Sequence, residues 1–153
     1  MEQIVIGGSR LMTSRIGLGT WAIGGWMWGG TDEAQSIATI HSAIDRGVTL
    51  IDTAPAYGFG HSEEIVGKAL AQGSLRDKVT IATKVGLAWR DGAVFRDSRP
   101  ARIRREIEDS LRRLRTDVII FIRCTGRISR LRSRKPLGRW RTCGGRARSG
   151  RSA

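Results

Sequence analysis

Short apolar runs alternate with longer stretches of helical spacing along the first 120 or so residues. Residues 4–6 and 10–12, divided by Gly7-Gly8-Ser9, predict a short hairpin. Residues 15–18 predict a strand that runs into Gly19-Thr20-Trp21. Thr31-Asp32-Glu33 supplies a cap and first-turn acids for a helix whose Ile37, Ile40, Ala43 and Ile44 share one face, and Gly47 ends it. Residues 48–51 form an apolar run ending at Asp52, followed by a loop over 53–61 with Pro55, Gly58 and Gly60. Ser62-Glu63-Glu64 opens the next helix, and residues 79–82 predict a buried strand ending at Thr83-Lys84. A charged amphipathic helix over 99–115, with Ile103, Ile107, Leu111 and Leu114 available to its inner face, precedes a further strand over 117–122.

Apolar strands alternating with helices indicate βαβ units and a parallel sheet covered on both faces. The fold class is therefore α/β. A doubly wound sheet and a (β/α) barrel both remain open on periodicity alone.

Charge divides the chain differently. Of 27 basic residues, 16 lie in 1–117 beside all 14 acidic ones, while 118–153 carries 11 basic residues and no carboxylate side chain. Both cysteines, Cys124 and Cys143, also fall in that second part. Two regions are expected: an ordered α/β part over 1–119, and a basic, disordered tail over 120–153. No apolar run approaches the ~18 residues of a membrane span, and the start MEQIVIGGSR lacks the form of a signal peptide. A cytoplasmic protein without a membrane partner is expected.

Three ionisable residues recur at one end of successive units. Asp52 and Lys84 end strands, and Tyr57 lies five residues after Asp52. Parallel topology gathers them at the C-terminal end of the sheet, where barrels build their sites. A free phenol ionises only near pH ~10; an ammonium beside it stabilises the phenolate, and a carboxylate holds the ammonium. Such a tyrosine can protonate a carbonyl oxygen as hydride reaches the carbon. A loop cap, a packing ring and a solvated strand end describe the same three residues equally well at this stage. Gly17-x-Gly19-x-x-Ala22 imitates a dinucleotide fingerprint, but the Gly- and Trp-rich residues 21–30 open no helix behind it. His41 shares a helical face with Ile37 and Ile44 and reads as a packed histidine, and His61 as a cap or surface residue. No metal-ligand cluster stands out.

With these residues in place, the chain resembles the bacterial aldo-keto reductases. RIGLGTWAIGGWMWGGTDE is similar to their first strand and substrate loop, LIDTAPAYGFGHSEEIVGKAL to their most specific signature, and VTIATKVGL to the strand bearing the catalytic lysine. RIRREIEDSLRRLRTDVI resembles the helix and strand entry that follow. The resemblance implies a (β/α)8 TIM barrel, of which this chain would form an N-terminal partial barrel of three to four βα units. It implies NADP(H) as cofactor and a small aldehyde or ketone as substrate. Tyr57 would be the general acid, with Lys84 and Asp52 as its tuning pair. Gly19, Thr20, Trp21 and Asp52 would lie at the cofactor, and Trp26 and Trp28 would wall the substrate pocket.

One departure is plain. The family places a histidine in DLYQVHWPD on its fourth strand, whereas residues 120–126 read IFIRCTG, with Thr125 at the histidine position. Residues 118–127 can be encoded GTC ATC ATC TTT ATC AGG TGC ACT GGC CGG; one G inserted after the second codon gives VIDLYQVHWP. The same shift lets Arg134-Lys135-Pro136-Leu137 read EETA and residues 146–153 read AGKIRAIG. The tail therefore reads as an out-of-frame translation, and the chain as a truncated, inactive reductase. Two other readings compete: an arginine-rich nucleic-acid binder acting through Trp140 and residues 127–151, and a half-barrel interaction protein. Non-specific attraction of the tail to polyanions is expected under any of them.

Overall fold

Three crossovers of one kind build the sheet of the computed structural model, which describes residues 1–7 and 10–125. The disordered tail expected over 120–153 lies, from residue 126 on, outside the described residues. Strands β3 (Leu18–Gly19), β4 (Leu50–Asp52), β5 (Thr80–Val85) and β8 (Phe121–Cys124) lie side by side in that order, every pair parallel. Helices α1 (Glu33–Asp45), α2 (His61–Ala71) and α3 (Pro100–Arg113) connect successive members. Each strand thus joins the sheet beyond its predecessor, with no reversal of order. A doubly wound sheet reverses at a switch point; a barrel wall does not, and this decides between the two folds left open by periodicity.

All three helices cover the same face, since α1 packs on α2 and α2 on α3. Ile51 and Ile81 from the strands meet Ile40, Ile65, Val66, Leu70 and Leu114 from beneath the helices in one buried cluster. The Asp32 side chain caps α1 by accepting from the Gln35 amide at 2.8 Å, and Pro100 starts α3 where a missing N–H costs nothing. His41 ties α1 to α2 through Nε2 and the Ala69 carbonyl at 2.8 Å, the packed histidine that its face implied.

A two-stranded hairpin of β1 (Gln3–Val5) and β2 (Met12–Ser14) precedes the sheet, shifted by one or two residues from its expected place. Reciprocal bonds between Ser14 and Thr49 (2.7 and 2.8 Å) fasten it beside the entry to β4, at the end opposite Asp52. A second hairpin, β6 (Leu87–Arg90) with β7 (Ala93–Arg96), was not anticipated. Its turn, Asp91-Gly92, has φ of 51° and 77°, the positive values of a type I′ turn, for which Asp-Gly is a favoured pair. The signal was in the sequence. The apolar residues flanking it are too few to show a strand's alternation.

Candidate active site

Alternation along the strands places Asp52, Ala82 and Lys84 on the face away from the helices, because Ile51, Ile81 and Thr83 take the other. Lys84 Nζ donates to Asp52 Oδ2 at 2.7 Å and to the Thr53 carbonyl at 3.1 Å. The same ammonium stands 4.7 Å from the centroid of the Tyr57 ring. The three residues singled out from sequence are therefore one cluster, half-buried at the C-terminal end of the sheet.

The Tyr57 loop is held by backbone contact. Gly24, in the turn Ala22–Gly24, lies so close to Tyr57 and Gly58 that a Cβ on Gly24 would stand 2.6 Å from the Tyr57 carbonyl carbon. A Cβ on Gly58 would stand 2.0 Å from the Gly24 oxygen. This contact brings the Trp21 ring over Tyr57, stacked at 27° with centroids 6.1 Å apart, and Trp28 meets Trp21 edge-on at 5.7 Å. Trp26 turns instead to Phe59 at 5.1 Å, and Phe59 to Trp89 of β6 at 5.8 Å. Phe59 and Trp89 were missed from sequence. Phe59 sits in the same loop as Tyr57, and Trp89 depends on the unanticipated hairpin.

The residues expected at a cofactor divide in two. Gly19 is exposed, with open space where a side chain would start, and Trp21 is 45% exposed. A flat ring fits against that rim. Thr20 is fully buried: its amide and its hydroxyl both donate to the Asp52 carbonyl, at 3.0 and 3.1 Å. Ser62 Oγ lies 2.8 Å from both Thr20 oxygens and 3.2 Å from the Thr53 hydroxyl, so Thr20 fastens β3 to β4 and α2.

Two buried carboxylates beneath the site also escaped sequence reasoning. Glu63 accepts from Thr83 Oγ1 and from Arg113 Nε, both at 2.7 Å, locking α2, β5 and α3 together. Glu106 accepts from the Gly86 amide at 3.0 Å through one oxygen, while the other has no partner among the described residues. Burial holds its carboxyl above the usual range, against the Gly86 hydrogen bond and the nearby Arg102. In sequence Glu63 reads as a first-turn acid and Glu106 as one of many charges on α3.

On β8, Arg123 is in register with Lys84 and Cys124 with Val85, and the Thr125 amide donates to the Val85 carbonyl at 2.8 Å. Thr125 therefore has the parity of Arg123 and Lys84, the face of the site. His61 is half-exposed, 3.9 Å from Glu64. Among the described residues no group of His, Cys, Asp and Glu could hold a metal, and no helix is long and apolar enough to cross a membrane.

The sequence profile of the Aldo/keto reductase family matches residues 15–121. The chain is 60% identical over 119 residues to aldo-keto reductase YhdN of Bacillus subtilis, covering 78% of this chain and 36% of that protein. It is 44% identical over 131 residues to the NADH-specific methylglyoxal reductase of Escherichia coli, covering 78% and 40%. The glycerol dehydrogenase AKR11B4 from Gluconobacter oxydans superposes with a TM-score of 0.71 at 57% identity, over 80% of this chain and 38% of that one. An aldo-keto reductase from Klebsiella pneumoniae, in complex with NADPH, superposes with a TM-score of 0.57 at 34% identity, over 74% and 35%. The chain thus spans well under half the length of each. Strand order, the Asp52–Lys84–Tyr57 cluster and these likenesses agree: the chain belongs to the aldo/keto reductase family.

Proposed function

We propose that this chain carries the proton-donating part of an NADP(H)-dependent reductase of small aldehydes and ketones, and that with Thr125 at the histidine position it does not turn over. The observation that carries the reading is the Lys84 ammonium, held on the Asp52 carboxylate and over the Tyr57 ring. A reduced nicotinamide against Gly19 and Trp21 would supply hydride to the carbonyl carbon. Tyr57 donates a proton to the carbonyl oxygen, and Lys84 stabilises the phenolate left behind. Asp52 holds the ammonium in place through its 2.7 Å contact. The Tyr57 hydroxyl has no hydrogen-bond partner among the described residues, which leaves it free to meet a substrate oxygen.

Trp21, Trp26 and Trp28 favour an apolar substrate body, with Phe59 and Trp89 extending the wall. NADP(H) is proposed by likeness to the NADPH-bound Klebsiella protein, although the Escherichia coli relative is NADH-specific. The family likeness stops at residue 121, and Thr125 offers no imidazole where DLYQVHWPD would place one. The test is NADPH oxidation with small aldehydes: no rate above background is expected from the chain as it stands. Saturable turnover that vanishes in Tyr57→Phe would overturn the inactivity while keeping the assignment of Tyr57.

A further inference from the structure

Between the β6–β7 hairpin and α3 lies an open groove of about 400 Å³, outside the Asp52–Lys84–Tyr57 cluster. Arg90 reaches it from the hairpin, and Arg102 and Arg105 from α3, with Phe95, on the same face of the hairpin as Arg90, between them. Its carboxylates are already engaged. Asp97 holds Arg99 at 2.6 Å, and Asp109 pairs with Arg112. Arg90, Arg102 and Arg105 have no ion-pair partner among the described residues. Three guanidiniums beside an aromatic ring suit a ligand with one strongly anionic group and one flat ring, because guanidinium forks match phosphate oxygens and an aromatic face takes a stacked base. Phe95 is 45% exposed, so its face is open to a ligand.

We propose that this groove is a binding site for a small phosphorylated ring compound of nucleotide size. Arg90, Arg102 and Arg105 take the phosphate, while Phe95 takes the ring. Its volume fits one such molecule.

The full chain carries further arginines after residue 125, so the test must read each arginine separately. Phenylglyoxal modification, mapped by peptide mass spectrometry, does this with AMP, adenosine, inorganic phosphate or a short RNA present. AMP is expected to slow labelling of Arg90, Arg102 and Arg105 severalfold and to leave Arg104, on the outer face of α3, unchanged. Adenosine should protect none of them, and phosphate should protect less well than AMP. Arg102→Gln with Arg105→Gln should weaken AMP binding by about tenfold or more, and Arg104→Gln should not. Equal protection by phosphate and AMP would remove the ring from the proposal. Protection by RNA but not AMP would make the groove a polymer site, and no selective protection by any probe would overturn it entirely.

Discussion

Tyr57 separates chemistry from packing at the scale of single residues. Its ring stacks on Trp21 and faces the Lys84 ammonium, and neither contact needs the hydroxyl. Tyr57→Phe should leave the thermal midpoint within a degree or two of the parent, since one exposed hydroxyl is worth roughly 0.5 kcal/mol or less; a large drop would mean that the hydroxyl is structural. Glu63 is the opposite case. Glu63→Ala leaves the Arg113 guanidinium and the Thr83 hydroxyl without their acceptor in a buried setting, and should cost about 3–5 kcal/mol in denaturant unfolding. Glu106 predicts a pH dependence. Its carboxyl titrates above its usual value near 4.5 because burial disfavours the charge. A raised acid stabilises the fold fully below about 4.5 and loses that contribution as pH climbs through its folded value. The stability difference between Glu106→Gln and the parent should therefore move in the variant's favour from pH 4.5 upward, and a flat difference would mean that burial leaves its titration unchanged. Asp97 runs the other way: the Arg99 hydrogen bonds hold it down to about 2, so its contribution is present above pH 3.8 and lost toward 2. Asp52, Tyr57 and Lys84 were legible because each ends a strand or sits in the loop after one, where topology alone fixes the neighbourhood. Glu63 and Glu106 were not, because one buried carboxylate in a helix of many charges looks like any other until its partners are in place.

Elements were legible wherever a period ran long enough. α1, α2 and α3 start within two residues of expectation, since acidic first turns mark α1 and α2 and Pro100 marks α3. Strand ends are fixed by their neighbours, which is why β3 reduces to Leu18–Gly19 and β5 runs on to Val85. The β6–β7 hairpin was lost because Leu87–Arg90 is too short to set a period, and only its Asp-Gly turn announced it. Gly92→Val should destabilise that hairpin, a β-branched residue being strained at φ 77°. Amide exchange in residues 87–96 should rise while α1 and α2 stay protected; protection unchanged across the hairpin would show that other contacts set its turn. The contact of Gly24 with Gly58 matters more to the site. Gly58→Ala drives a methyl into the Gly24 carbonyl at positive φ, so the loop bearing Trp21 must leave Tyr57. The expected result is a red-shifted, more quenchable tryptophan emission, and an unchanged spectrum would mean that the two loops do not depend on each other.

The whole molecule joins two parts with different compositional rules, and that contrast carries the broadest expectations. β3 and β8 each have one unpaired side among the described residues, an arrangement that invites edge-to-edge association; sedimentation should show more than a monodisperse monomer. The 11 basic residues of 118–153 should bind any polyanion with an affinity that falls steeply as salt rises. A salt-resistant preference for one RNA sequence would revive the nucleic-acid reading. The two-part composition itself has a simpler cause in the coding DNA, we propose. The family profile stops at 121, while the chain continues to 153. One G between codons 119 and 120 turns residues 120–127 into DLYQVHWP, and the same shift yields EETA and AGKIRAIG further on. Third bases are free in that exercise, yet most first and second bases are fixed by the residues present, so agreement over these twenty positions is hard to reach by accident. The shift also accounts for ten arginines to one lysine, two stray cysteines and no carboxylate after Asp117. It puts the restored histidine at position 125, which by strand parity shares the face of Lys84. Reading the DNA in all three frames tests this directly: a shifted frame that fails to encode the histidine strand ends the account. If the frame is there, restoring the base should give NADPH-dependent reduction of small carbonyl compounds. That activity should disappear in Tyr57→Phe and fall by orders of magnitude in Lys84→Met and Asp52→Asn, because each removes one member of a unit that acts together.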